Sequence, residues 1–338
     1  MENREPSKNR KRIKKVFFFA LLLVIVSVFV FVTKEKKEKR NSKHEQTSLT
    51  YDFSFAELAI RYLETGYSDY LQEISNLDAA THLYNHALNT RRIKPTSSKL
   101  ELVTNLLSPI DKQRELLPIF KERLNFAKED LVKSGIAEKI ALQFLPVDFN
   151  FSGSLFFTFA YGHSAYGKTC NLNLADTNSM KNMNSMIHLA VHELHHVGFI
   201  VLKGGYMPHP DKSTYKEMLH EIEYLTHFEG MALYAQQHAF VILEPENAME
   251  IDMPLRELQE FEKKYLDIYY HFKNKPDNLL TQEDWYKFHI LDDKSLWYIV
   301  GSQMAKTIDK NLGREKLVSL ISEPSENFIE TYLELSKQ

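Results

Sequence analysis

The chain has a single cysteine, Cys170, in 338 residues. No intrachain disulfide can form, so a disulfide-stapled scaffold is excluded, although a domain outside the cell is not. Glycine and proline are scarce, at 11 each, which rules out collagen-like and low-complexity chains. Internal repeats are lacking. Basic charge is sparse everywhere except at one end. Residues 1–50 carry 13 Lys/Arg against 5 Asp/Glu, a net of +8; the whole chain stands at −3, so residues 51–338 carry −11. An acidic body argues against a nucleic-acid partner. What the chain has in quantity is apolar material. With 43% hydrophobic and 12% aromatic residues it can bury a sizeable core, as one large domain or two packed lobes.

The basic residues flank one apolar segment, VFFFALLLVIVSVFVFV, residues 16–32. Seventeen residues at a rise of 1.5 Å span roughly 25 Å, near the lower limit for crossing a bilayer. No helical phase offers a polar face. The segment ends in bulky side chains rather than a small-x-small cleavage site. The expectation is therefore a basic tail over 1–15, an uncleaved transmembrane anchor over 16–33 and a charged linker over 34–50. Seven Lys/Arg precede the segment and six follow within 34–43, so the positive-inside rule favours a tail inside and a large extracytoplasmic domain at the cell membrane.

Beyond the linker, residues 51–145 show mostly helical apolar spacing, as in FAELAIRYLETGY, and read as an N-terminal helical region. The remainder, 146–338, reads as a catalytic region. It begins differently, with aromatic-rich residues 153–177. There SLFFTFAY and KTCNLNL are expected to be two strands of an antiparallel hairpin joined by GHSAYG. Helices are then predicted over about 182–202, ending at Gly204-Gly205; about 213–243, ending near Pro245; and roughly 254–273 and 293–312. The fold class is α+β, mainly helical, with one small sheet before the helix at 182–202.

That helix contains AVHELHHVGF, residues 190–199, with three histidines and a glutamate inside an apolar stretch. Polar groups leaving water without partners are costly, so something must satisfy them. With His192 at zero on a helical wheel, the apolar residues fall between about 140° and 260°. His196 falls at about 40°, Glu193 at about 100° and His195 on the other side at about 300°. Histidines at i and i+4 share one face and can converge on one ion at about 2.0–2.1 Å. Glu193 lies beside such an ion and reaches its water without being a ligand. This is the HExxH arrangement.

A catalytic zinc usually takes three protein ligands. Glu229, on the next helix, is the one charged residue on an apolar stripe formed by Met218, Leu219, Ile222, Leu225 and Leu233. A lone carboxylate there needs a cation. Gly230 and Ala232 beside it are expected to let this helix approach the histidine helix closely.

HELHH followed by FEGMALYA resembles the gluzincin metallopeptidases, in which an HExxH helix is completed by a glutamate on a later helix. The E-G-x-A-x-Y form is similar to that of bacterial families described only as putative zinc-dependent peptidases. WYIVGSQMAKTIDKNLGREKLVSL and FIETY extend the likeness, which covers about 150–335. The resemblance implies a zincin-like core, one zinc per chain held by His192, His196 and Glu229, and Glu193 as general base. Four residues after Glu229, where some gluzincins carry an aspartate, this chain has Leu233. That leaves the groups orienting the histidines unassigned.

Peptide hydrolysis also needs an electrophile for the oxyanion. Tyr298 is the candidate, with Tyr234 and His289 as rivals. The hairpin could offer an edge to an extended peptide, with Tyr161, Gly162, His163 and Tyr166 lining the cleft. Two other readings compete. Glu193-x-x-His196 and Glu217-x-x-His220 could belong to a di-iron carboxylate redox protein. A non-catalytic membrane-anchored binding protein would instead close a structural zinc with four ligands.

Overall fold

The computed structural model describes residues 49–159, 162–176, 183–205, 212–246 and 253–337. The expected basic tail and transmembrane anchor, and all but the end of the expected linker, lie outside these residues, as does Tyr161.

Residues 48–338 form one compact unit. It opens on strand β1 (Thr50–Asp52), which starts at the last residue expected to be linker, and continues through helices α1 (Ser54–Thr65), α2 (Asp69–Ser75), α3 (Asp78–Asn89), α4 (Lys99–Asp111), α5 (Leu117–Phe126) and α6 (Ile136–Ala141). Strands β2 (Ser154–Thr158), β3 (Ser164–Tyr166) and β4 (Thr169–Asn173) follow. Helices α7 (Met183–Leu202), α8 (Tyr215–Leu243), α9 (Leu255–Lys273), α10 (Gln282–Asp293), α11 (Leu296–Leu312), α12 (Arg314–Ser319) and α13 (Ser325–Leu335) complete the unit. The long helices stop where the expected signals stand. Gly204 and Gly205 take positive φ after α7, and Thr214 and Glu217 form a capping box that starts α8. A further break is less visible. Ser295, at φ 50°, separates α10 from α11 where one helix was expected from 293.

The sheet corrects the hairpin expectation. Its order is β1-β2-β4-β3, and β2 pairs with β4 in parallel. SLFFTFAY and KTCNLNL are thus neighbours but not a hairpin. The antiparallel partner of β4 is β3, which lies inside the supposed connecting loop. The turn signal was misplaced: Gly167, at φ 61°, occupies the first central position of a two-residue turn between Tyr166 and Thr169. A glycine there suits a type II′ hairpin. The result is a mixed sheet with β3 at its edge.

Period-two alternation sends β4 side chains to two layers. Thr169 and Asn171 face α3, where His82 meets both. Cys170 and Leu172 face the opposite way, onto α7, which packs against β3 and β4. Helix α7 in turn packs against α6 and α8, and α8 against α11. It is therefore central and covered nearly all round. His188, His192, Glu193, His195 and His196 are buried along with the apolar face. The wheel's division into core and polar sides does not survive this.

Helix α8 is similarly enclosed. His227 is fully buried, stacked 4.4 Å from Phe328. Glu223 is also buried and accepts a hydrogen bond from Tyr269. Gly230 permits a close approach, but to α11 rather than to the histidine helix. A Cβ at Gly230 would lie 2.4 Å from the backbone carbon of Gly301.

Candidate metal centre

The i, i+4 spacing on α7 brings the His192 and His196 rings within 4.5 Å, nearly perpendicular to one another. Helix α8 delivers Glu229 opposite them. Its Oε2 lies 3.0 Å from His196 Nε2 and 3.4 Å from His192 Nε2. One ligand atom from each of the three residues falls within a span of 4.8 Å. Tetrahedral bonds of about 2.0–2.1 Å would separate neighbouring ligand atoms by about 3.3 Å, so these separations suit a zinc ion. Two imidazole nitrogens and a carboxylate oxygen are also the donor set zinc prefers. Among the described residues no fourth His, Cys, Asp or Glu joins the group. One side of the site is therefore left to other ligands.

Burial alone would push the Glu229 carboxyl up. The His196 and His192 imidazoles pull the other way and prevail, holding it well below the usual carboxylate range. The site thus presents an anion to a cation. Glu193 stands apart from the ligand group. Burial raises its pKa to about 8, with Glu229 adding to the rise and His192 opposing it. Among the described residues its Oε2 has no hydrogen-bond partner, nor have the Nδ1 atoms of His192 and His196. Phe228, the residue before Glu229, stacks on His196 at 3.7 Å and holds its plane. Sequence reading missed that role, although Phe228 stands in the same FEGMALYA block.

His195 is wholly buried on another side of α7, and its ring lies 6.4 Å from Phe199. It takes no part in the ligand group. Tyr298, on α11, has its ring nearly parallel to that of His192 at 6.3 Å. Burial drives its phenol up, and the Glu229 and Glu193 charges nearby add to the rise. The rivals are engaged differently. Tyr234 donates to Asp309 at 2.8 Å, and His289 is exposed on α10. Asp292, near the end of α10, acts electrostatically on both Tyr298 and Glu229. It went unnoticed because an acidic residue at a helix end reads as solvated.

The expected cleft residues divide. The carbonyl of Gly162 accepts from Asn171 Nδ2 at 3.1 Å, and a Cβ added there would meet nothing within 4 Å. His163 uses both ring nitrogens as braces, accepting from the Asn173 N–H at 3.2 Å and donating to Asp176 at 3.1 Å. Tyr166 pairs with Thr169 and so lies on the α3 face, away from the metal centre. What β3 does present is backbone. In a two-residue hairpin the flanking pair, Tyr166 and Thr169, exchanges the ladder hydrogen bonds, so Ala165 turns its N–H and C=O away from β4, to the edge where no further strand pairs among the described residues. Ala165 is level with Cys170, whose thiol feels the Glu193 charge.

The di-iron reading loses its second motif. Glu217 is consumed in the cap of α8, accepting from the backbone of Ser213 and Thr214, and His220 is exposed.

A family model described as "Putative zinc dependent peptidase (DUF5700)" matches residues 64–338. No curated protein and no solved structure matches the chain.

Proposed function

Because the chain belongs to the family described as "Putative zinc dependent peptidase", we propose that it is a membrane-anchored zinc peptidase hydrolysing peptide bonds in peptide or protein substrates. The observation that carries this reading is the set of three converging ligand atoms with a separate buried carboxylate beside it. A closed structural site would use a fourth protein ligand and would have no need of Glu193.

His192, His196 and Glu229 would hold one zinc per chain, which would supply a Lewis acid to polarise the scissile carbonyl and acidify a water. Glu193 is the base, placed to take a proton from the attacking water and return it to the leaving amine. Buried beside the ligand group but outside it, Glu193 is placed for both transfers. Tyr298, stacked beside His192, offers its hydroxyl to the oxyanion. The open edge of β3 pairs with an extended substrate backbone, Ala165 supplying one donor and one acceptor.

Full-length chain purified in detergent is expected to hold one zinc and to cut members of a peptide library. Chelation should abolish cleavage and added zinc restore it. Two irons per chain would instead establish the redox protein. One firmly held zinc without any cleavage would establish the binding protein.

Residues 16–33 are proposed to anchor the chain, with the peptidase domain extracytoplasmic. Protease added to intact cells should then digest residues 51–338, while the mature chain keeps residue 1 and stays in the membrane fraction. Digestion only after lysis would reverse the orientation.

A further inference from the structure

Strand β3 has three residues and one partner strand. A hairpin that small is not stable in water by itself. Yet, on the peptidase reading above, its edge must be held level with Glu193 to within a fraction of an ångström for the substrate to be cut. The support comes from beneath, from side chains on the α3 face. His82, on α3, is buried and places Nδ1 2.7 Å from Thr169 Oγ1. Its Nε2 lies 3.3 Å from both Ser164 Oγ and Asn171 Oδ1. Thr169 Oγ1 donates in turn to the Tyr166 carbonyl at 3.0 Å. Ser164 Oγ contacts Asn171 Oδ1. The Asn171 amide donates to Thr158 Oγ1 at 3.0 Å and to the Gly162 carbonyl at 3.1 Å. One imidazole therefore joins both ends of β3 to the middle of the sheet.

Proton counting gives the tautomer. Burial, with His86 adding to it, lowers the His82 pKa to about 4, so the ring is neutral at physiological pH. It then has one N–H and one lone pair. Thr169 spends its only proton on the Tyr166 carbonyl, so its oxygen must accept from His82 Nδ1–H. Ser164 gives its proton to Asn171 Oδ1, and Nε2 packs against these two oxygens at 3.3 Å. A phenylalanine of similar shape could not donate and would leave the buried Thr169 hydroxyl short of a partner.

We propose that His82 is a positioning residue for peptide binding, fixing the height and register of β3 so that Ala165 can pair with an extended substrate beside Glu193. It touches neither substrate nor metal. Its removal should therefore separate binding along β3 from the chemistry at the metal.

The test compares the full-length protein with His82→Phe on two substrates: an extended peptide of eight to ten residues and a chromogenic dipeptide too short to run along β3. For His82→Phe the KM of the long peptide should rise roughly tenfold, the loss expected when about one hydrogen bond's worth of positioning goes. Its kcat, the zinc content and both constants for the dipeptide should hold. His82→Gln, which keeps a donor and an acceptor, should recover part of the KM. Equal losses on both substrates, or no loss on either, would overturn the proposal. If His82→Phe does not fold, Thr169→Val removes one link of the chain isosterically and should show the same split, smaller. Hydrogen exchange gives a readout independent of activity. The Ser164 and Tyr166 amides should exchange faster in the variants while α7 amides stay protected. Unchanged exchange sinks the role of His82 even in an active enzyme. A parent protein that binds zinc and cuts nothing sinks the peptidase reading instead.

Discussion

Glu193→Gln should keep its zinc and lose most of its turnover, whereas Glu229→Gln should lose the zinc itself. The two carboxylates are neighbours in space but differ in their partners. Glu229 Oε2 lies 3.0 Å and 3.4 Å from the two imidazole nitrogens, and it is held ionised by them. A neutral amide there removes the one negative charge from the ligand set. Zinc affinity should fall by more than the roughly 10–100-fold typical of losing a supporting hydrogen bond around a metal. Glu193 belongs to no ligand group and carries a raised pKa, near 8, because it is buried. Glutamine keeps its shape but accepts no proton, and general-base catalysis typically contributes about 10² to 10⁴-fold. Zinc stoichiometry and peptide cleavage, read on the same two preparations, decide the matter. A Glu193→Gln protein that stays fully active, or that loses zinc as Glu229→Gln does, would sink these roles.

Much of the metal centre was legible because metal binding imposes periodicity. Two histidines four apart must share a helical face, and a lone carboxylate in an apolar stripe needs a cation. Glycine and proline located the C-terminal ends of α7 and α8, at Gly204-Gly205 and near Pro245. The sheet was harder. Alternation in KTCNLNL correctly separates Cys170 and Leu172 from Asn171 and Thr169, but alternation says nothing about which strand lies alongside. Nearness in sequence suggested a hairpin between β2 and β4, and the three residues of β3 were too few to register as a strand. Buried polar residues were least legible of all. His82, His227 and Glu223 carry no local signal of burial, and only their partners across the fold explain them: Thr169 and Ser164 for His82, Phe328 for His227, Tyr269 for Glu223. Such contacts join segments far apart in the chain, where no local pattern reaches. Gly230 shows the same limit at one position. The need for close packing beside Glu229 could be read, but not that the neighbour is α11.

That neighbour sets the second large effect. A Cβ at Gly301 would sit 2.4 Å from the Thr226 carbonyl oxygen and 2.8 Å from the Gly230 Cα. Both are backbone atoms on α8, so no side chain can swing aside. Gly301→Ala must push α11 away from α8 along their most extensive contact. Overpacking a well-filled interior typically costs about 1–3 kcal/mol, and a clash of backbone with backbone belongs at the top of that range or beyond. The consequence reaches the site directly. Glu229 is the residue before Gly230, and Tyr298 lies one turn before Gly301 on α11. Separating the two helices draws Tyr298 away from His192 and loosens the carboxylate between the two imidazoles. Gly301→Ala is therefore expected to lower Tm by several degrees and to weaken zinc binding together. Gly162→Ala serves as the control, since an added Cβ there meets nothing within 4 Å, and its Tm and zinc content should match the parent. Thermal unfolding followed by circular dichroism, with zinc measured on the same samples, checks both. A Gly301→Ala protein with unchanged Tm and full zinc would mean that α8 and α11 can part without cost, and that Tyr298 is not held to the metal centre by this contact.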